Sequence, residues 1–355
     1  MSQFHSLTVS AVQHETRDCI AVTFAVPPDL AAAFAYRQGQ HLTLRATIGG
    51  EQVRRVYSIC SAVQDQALRV AIKRTAGGVF SCWANDTLAP GMVIDVMAPL
   101  GHFNLPLDSA VPHHYLGIAA GSGITPILSI MKTTLMAEPH SRFTLVYGNR
   151  SASSTIFKDA LLELKDLYLE RLSIVYVMSR EQQDIDLFNG RISADKCRQL
   201  LAHWVPVADL DGAFICGPED MMQGACEALL EAGMPKAVIK FELFAASVPV
   251  HRRAADAAAP GQTEVTVIMD GAHSSFTMAR ERESVLDAGL GHGLDMRYSC
   301  KSGVCATCRC KVTQGRVEMD VHYALEDYEI ARGFVLSCQS FPVSDSVTLD
   351  FDQAD

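Results

Sequence analysis

The chain has 355 residues, 48% hydrophobic and 20% charged, with 24 Gly and 14 Pro. That is a globular composition; it excludes a mostly disordered, collagen-like or fibrous chain, and the length predicts two or three domains. Thirty Lys+Arg against 40 Asp+Glu leave a net charge of −10, which argues against a general nucleic-acid binder, since a phosphate backbone asks for the opposite sign.

The opening residues show no basic start followed by an apolar run. The longest uncharged stretch, 109–131, is interrupted by Pro112, Pro126 and several glycines. No signal peptide and no membrane span are therefore expected, and the protein reads as cytoplasmic.

Residues 1–108 read as six short alternating strands: SLTVSAVQ, CIAVTFAV, QHLTLRATI, QVRRVYSIC, ALRVAIKR and MVIDVMAPL. Turn residues separate them at the spacing of an antiparallel β-barrel. The fourth strand ends in Arg55-Val56-Tyr57-Ser58. An Arg there can pair with a diphosphate, a Tyr can stack on an isoalloxazine ring, and a Ser hydroxyl can bond the flavin N5 edge. The bland alternative is a solvated strand end. Next come Ile72-Lys73 and then Gly77-Gly78-Val79-Phe80-Ser81. Two glycines and a serine at a helix start make an anion nest for a flavin diphosphate, or else an ordinary turn and N-cap.

Residues 109–246 alternate apolar strands with helical runs, the pattern of a parallel sheet wrapped by helices. The strands are HYLGIAA, FTLVYGN, LSIVYVMS and GAFICGP; the helices are ITPILSIMKTTLM, STIFKDALLELKDL and EDMMQGACEALLEAG. Gly121-Ser122-Gly123-Ile124-Thr125-Pro126 follows the first strand and opens a helix, which suits a dinucleotide, although it is not the G-x-G-x-x-G fingerprint. Arg150, Ser179-Arg180 and Cys216-Gly217-Pro218 stand at later strand ends, where open parallel sheets bind ligands. A Ser-Arg pair suits an adenosine 2′-phosphate and favours NADPH over NADH; the alternative is an arginine that only solvates a loop. Cys216 reads as a small, soft wall beside a nicotinamide rather than a nucleophile. Glu242 and Phe244 close the segment and are candidates to flank the flavin, against ordinary strand packing.

Residues 247–262, SVPVHRRAADAAAPGQ, are small, polar and without apolar period, and read as a linker. Residues 263–355 hold a hairpin, TEVTVIMDGAHSSFTMA, a short helix at SVLDAGLG and a cysteine-bearing loop before further strands. This last segment carries 8 basic and 15 acidic residues, net −7, against 0 for residues 1–108 and −3 for 109–262. Such a charge would steer docking onto a basic partner surface.

Eleven cysteines without a secretion signal argue against a disulfide framework. Four of them follow the spacing Cys300-x4-Cys305-x2-Cys308, with Cys338 after 29 further residues, which is the plant-type [2Fe–2S] pattern. Two irons need four thiolates, two each. A structural zinc site is the alternative, but it usually shows paired C-x2–4-C knuckles, and only half of the run looks so. Cys310 falls outside the pattern.

Together these residues resemble the ferredoxin–NADP reductase family fused to a C-terminal plant-type ferredoxin, over essentially the whole chain. Within it, FHSLTV, GQHLTL, RRVYSIC, GHF, AAGSGITP, FTLVYGNR, AFICGPEDMM, SGVCATCRCKV and FVLSCQ are most similar to reductases that serve phenylacetyl-CoA ring epoxidation. The resemblance implies an FAD-binding β-barrel, an α/β NADP domain and an α+β (β-grasp) ferredoxin domain. It implies FAD, NADPH and a [2Fe–2S] cluster, with electrons passing in that order to a di-iron oxygenase on another chain. It implies Ser58, Cys216 and Glu242 as the catalytic group and the four cysteines as iron ligands. Leu243 departs from the family pattern, which has Arg between the Glu and the aromatic residue. The competing readings are a reductase of an aromatic-ring or steroid hydroxylase, and a non-catalytic zinc-stabilised binding module.

Overall fold

The computed structural model describes residues 4–244, 261–280 and 283–353. They form two compact units, His5–Leu243 and Phe244–Asp355, the latter with the first four residues. Among the described residues no helix is long and apolar enough to cross a membrane.

The larger unit begins with β1 (Phe4–Thr16), β2 (Cys19–Ala25), β3 (His41–Ile48), β4 (Glu51–Ser58), β5 (Leu68–Lys73) and β6 (Val93–Met97). They make one sheet in the order β4-β3-β6-β1-β2-β5. The pairs β1–β2, β2–β5, β3–β4 and β3–β6 are antiparallel. Ile59, just beyond β4, bridges Val70 of β5, so the two outer strands meet and the sheet closes. Leu7, Val22, Leu42, Leu44, Ile72 and Val96 fill the interior, the inward half of an alternating pattern. Helix α1 (Val79–Thr87) follows β5 and seals the barrel with Phe80 and Ala84.

Residues 101–113 contain no helix or strand. A five-stranded parallel sheet follows: β7 (His114–Ala120), β8 (Arg142–Asn149), β9 (Leu172–Met178), β10 (Gly212–Cys216) and β11 (Ile239–Glu242), in the order β11-β10-β7-β8-β9. β7 and β10 are buried almost end to end, as expected when helices cover both faces. The helices are α2 (Ile124–Ala137), α3 (Lys158–Leu167), α4 (Ala194–His203) and α5 (Glu219–Glu231). The strand order reverses between β7 and β10, the place where such sheets bind ligands.

Helix α2 also fixes the barrel against this sheet. Its Ser129 hydroxyl donates to the Ser61 carbonyl at 2.7 Å, and Thr133 Oγ1 accepts the Val63 N–H at 3.1 Å. These bonds explain polar residues on a helix that is otherwise buried on nearly all sides: they satisfy barrel backbone groups that water cannot reach.

The smaller unit has β12 (Gln262–Met269), β13 (Ala272–Ala279), α6 (Val285–Gly291), β14 (Arg309–Gln314), β15 (Val317–Met319), α7 (Asp327–Ala331), β16 (Phe334–Leu336), β17 (Ser340–Pro342) and β18 (Ser346–Asp350). Its main sheet runs β13-β12-β18-β14-β16, with β12 and β18 parallel and the other pairs antiparallel; β15 and β17 form a small second sheet. The β12–β13 turn is Asp270-Gly271, both at positive φ, the backbone that a two-residue hairpin turn requires. Val265, Val267, Phe276, Leu286, Leu336 and Leu349 build the core.

Most expected elements are present. The expected linker, 247–262, lies outside the described residues except for its last two, and Gln262 already belongs to β12. Helix α3 starts only at Lys158, because Phe157 takes a left-handed φ of 60° and Ser154–Ile156 are not α-helical. Helix α4 was not expected from the sequence.

Candidate functional site

Strand β4 ends with the predicted flavin motif. Its Arg55 is exposed, and its Nη1 donates to the Arg54 carbonyl at 2.7 Å. Val56 and Tyr57 are half-buried, and the Tyr57 ring lies 5.7 Å from Phe80, tilted by 41°. Burial pushes the Tyr57 hydroxyl well above its ordinary pKa, so it stays a neutral aromatic surface. Ile72 and Phe80 turn their side chains into the barrel core, leaving only their backbones for a ligand. Asn85 Nδ2 donates to the Ile72 carbonyl at 3.0 Å.

The Gly77-Gly78 turn enters α1 with Gly77 at φ +73° and open space where a side chain would stand. Ser81 Oγ accepts the Thr75 N–H at 3.1 Å and folds the turn back on itself. Val79 is half exposed, at 51%. Amides at the start of a nine-residue helix, beside an open turn, suit a phosphate.

The carboxyl ends of β7 and β10 come together. Gly121 has a left-handed φ of +55°, and its carbonyl accepts the Tyr147 hydroxyl at 3.0 Å. Gly123 passes so close to β10 that an added methyl group would stand 2.1 Å from the Cys216 carbonyl oxygen. Thr125 Oγ1 donates to the Ser122 carbonyl at 3.0 Å, and Pro126 sits in the first turn of α2, where a missing N–H costs nothing. Cys216 and Gly217 are buried, and Pro218 is exposed. Burial, followed by the Glu242 charge, holds the Cys216 thiol far above its ordinary pKa, so it is an uncharged wall.

Glu242, at the end of β11, joins the barrel to the parallel sheet. Ser58 Oγ donates to Glu242 Oε2 at 2.8 Å. Thus three sequence candidates, Ser58, Cys216 and Glu242, converge. Leu243 is buried and Phe244 half-buried. Arg150 and Ser179 face each other at the ends of β8 and β9, where the Arg180 N–H donates to the Arg150 carbonyl at 2.8 Å and Ser179 Oγ donates to Asn149 O at 3.2 Å. Arg150 and Arg180 are exposed. Lys73 Nζ lies 3.6 Å from where a Gly121 methyl would stand, so a cation of the barrel reaches the β7 turn.

In the smaller unit the thiols pair two and two. Cys300 and Cys305 are hydrogen-bonded to each other, and so are Cys308 and Cys338. That bond, with the amides of Ser302, Val304 and Cys305, lowers the Cys300 pKa to about 6. Gln339 Nε2 reaches Cys338 Sγ at 3.6 Å. Among the described residues no three His, Cys, Asp or Glu side chains converge on a single ion position. A two-iron cluster needs two pairs of thiolates with amides aimed at them, and this loop fits it. Cys310 is fully buried, and its Sγ lies 3.9 Å from the Val335 carbonyl.

Sequence reasoning missed His41, whose Nδ1 lies 3.8 Å from Glu242 Oε1. Nothing in its local sequence distinguishes it from a strand residue; its partner comes from the end of the other sheet.

Comparison with known proteins agrees with this geometry. Family models described as an oxidoreductase FAD-binding domain, an oxidoreductase NAD-binding domain and a 2Fe-2S iron-sulfur cluster binding domain match residues 6–105, 118–227 and 267–343. The chain is 46% identical over 352 residues to a subunit of the 1,2-phenylacetyl-CoA epoxidase of Escherichia coli (strain K12), covering 99% of each chain. It is 37% identical to the ferredoxin reductase component of 3-ketosteroid-9-alpha-monooxygenase from Rhodococcus rhodochrous, covering 97% of this chain and 96% of that one. The crystal structure of phthalate dioxygenase reductase matches with a TM-score of 0.58 and 24% identity, covering 98% of both chains, and shares the fold. The chain therefore belongs to the family of oxygenase reductase components that join FAD-binding, NAD-binding and 2Fe–2S domains in that order, a family that includes this 1,2-phenylacetyl-CoA epoxidase subunit.

Proposed function

We propose that this reductase takes electron pairs from NADPH and delivers them singly to a di-iron oxygenase that epoxidises the ring of phenylacetyl-CoA. When bound, the flavin accepts an electron pair from the nicotinamide as hydride, and the iron–sulfur pair accepts single electrons. Ser58 would orient the flavin at N5, Arg55 would hold its diphosphate with the amides after Gly77 and Gly78, and Tyr57 would lie along its ring. Thr125, with the Gly121–Gly123 turn and the Cys216 wall, would place the nicotinamide; positioning of this kind is the protein's main contribution to such a step. Cys300 and Cys305 would hold one iron, Cys308 and Cys338 the other.

The observation that carries this reading is the Ser58–Glu242 bond. It sets the flavin motif of the barrel against the carboxyl end of β11, where Glu242 pairs with Cys216 of β10. The preference for NADPH is supported by Arg150 and Arg180, two exposed guanidinium groups on neighbouring strand ends, which suit a 2′-phosphate. The 46% identity to the phenylacetyl-CoA epoxidase subunit supports the choice of oxygenase; the 37% identity to the steroid monooxygenase component supports the second reading, a steroid oxygenase partner. Eleven free cysteines among the described residues suit a cytoplasmic site.

Anaerobic titration watched in the visible tests it. NADPH is expected to bleach flavin and iron–sulfur bands at lower concentration than NADH, and the reduced protein to support epoxidation of phenylacetyl-CoA by the purified oxygenase. Bleaching by NADH alone would overturn the nucleotide assignment. Turnover only with a steroid oxygenase would overturn the partner.

A further inference from the structure

Gln339 directly follows Cys338 and ends the short turn Ser337–Gln339 that leads into β17. Its backbone is held in place, since the Asp320 N–H donates to the Gln339 carbonyl at 3.1 Å. From there the half-buried side chain reaches back to the start of the cysteine loop. Its Nε2 donates to the Lys301 carbonyl at 3.0 Å and to Cys338 Sγ at 3.6 Å. A primary amide carries two N–H bonds on one nitrogen, and both are used. A carbonyl can only accept, and so can a thiolate that binds iron, so the nitrogen end of the amide must face them. The acceptor side is equally fixed. Lys301 has a left-handed φ of 55°, uncommon for a residue with a side chain. Its Nζ is bonded to Asp287 Oδ1 at 2.7 Å and lies 4.9 Å from the centre of the Tyr298 ring. Gly303, at φ +72°, leaves room for the stem of the glutamine: an added methyl would stand 3.2 Å from Gln339 Cγ. An apolar side chain of the same length would pack there as well, so the amide calls for a chemical reason.

We propose that Gln339 raises the reduction potential of the iron–sulfur pair by donating its side-chain N–H to the fourth iron ligand, Cys338, with the Lys301 carbonyl holding that donor in position. The inference rests on Cys338 as an iron ligand, as read above. On reduction one electron arrives from the flavin; no bond to Gln339 forms or breaks, and no proton moves. The added negative charge spreads onto the ligand sulfurs, and a hydrogen bond to a more negative acceptor is stronger. The reduced form therefore gains more from the amide than the oxidised form does, and the potential rises. At Cys300 backbone amides of Ser302, Val304 and Cys305 play this part; at Cys338 a replaceable side chain plays it. Gln339 acts through Cys338 and is a positioning residue.

The test is a potentiometric titration of the full-length holoprotein, with the reduced iron–sulfur pair followed by electron paramagnetic resonance and the flavin by absorbance. Gln339→Met keeps the length of the side chain and loses the donor. Its iron–sulfur pair is expected to be reduced about tenfold less readily, a fall of roughly 59 mV for a one-electron couple, while the flavin midpoint stays in place. Gln339→Glu loses the donor and adds a negative charge, so its fall should be at least as large. An unchanged iron–sulfur potential in Gln339→Met, or an equal shift of both midpoints, would overturn the proposal. If Gln339→Met does not assemble its cluster, the unaltered sequence decides. Made with glutamine labelled with 15N only in the side-chain amide, the reduced protein should show a 15N coupling in pulsed resonance, because a hydrogen bond to a ligand sulfur carries unpaired spin to the donor nitrogen. Absence of that coupling overturns the proposal too, and its presence distinguishes a direct bond from a merely loosened loop. Cys338→Ala keeps the two readings separable: a two-iron spectrum unchanged in that variant would sink the ligand reading and the proposal with it, whereas a lost spectrum there with no 15N coupling in the unaltered protein sinks the proposal alone.

Discussion

At the scale of single residues, close approach matters more than side-chain chemistry at Gly123. Its φ of −61° is open to any residue, so the backbone conformation does not require glycine. The requirement is the Cys216 peptide, with its carbonyl carbon 2.5 Å and the Gly217 nitrogen 3.0 Å from an added methyl. Backbone cannot swing aside as a flexible side chain would. Gly123→Ala should therefore push β7 and β10 apart at their carboxyl ends. The expected loss is about 1–3 kcal/mol, the usual range for overpacking, with weaker nucleotide binding; thermal melting and a nucleotide titration followed by flavin absorbance would measure both. The sequence makes the Gly-rich turn legible as strand, turn and helix start. It does not reveal which glycine is indispensable, because the atoms that forbid a side chain come from a strand far along the chain. His41 escaped for the same reason, whereas Ser58 and Glu242, which the structure brings within 2.8 Å of each other, and the cysteine spacing were singled out from residue type and spacing.

At the scale of elements, short segments depend on their ends. Helix α6 has seven residues and is capped by Ser284, whose Oγ accepts the Asp287 N–H at 3.1 Å and donates to Asp287 Oδ2 at 2.9 Å. The cap is 4% exposed, and the helix packs beside Ser337–Gln339, which contains Cys338. Ser284→Ala should destabilise the smaller unit by about 1 kcal/mol. It should also hasten bleaching of the iron–sulfur absorbance in denaturant, while the flavin signal of the larger unit keeps its midpoint. Strands were the most legible elements, since alternating burial writes itself into the sequence. Helix α4 was not, because only Cys197 and Leu200 of its ten residues are buried. Its one local signal, Ser193 accepting the Lys196 N–H at 3.3 Å, is a cap that sequence reading passed over. Phe157 shows the opposite error: good helix formers surround it, yet its left-handed backbone delays α3.

At the scale of the whole molecule, charge is unevenly placed. The segment 263–355 holds −7 of the total −10, in the unit that carries the cluster loop. Complementary charge speeds encounter, and salt screens it with a Debye length of about 10 Å at 0.1 M. Electron delivery to the oxygenase should therefore slow as ionic strength rises from about 0.01 to 0.5 M, while flavin reduction by nucleotide changes less. Stopped-flow rates for the two steps at matched salt check this, and equal sensitivity would count against docking through the smaller unit. The sequence by itself determined the kinds of element, their order and the four-cysteine spacing, because strand and helix periods and cysteine spacing are local properties of the chain. Only the tertiary structure decided that β11 returns Glu242 to Ser58 and His41, and that Gly123 must yield space to Cys216. Those contacts join residues that no local pattern connects, and they exist only once the closed barrel and the parallel sheet share helix α2.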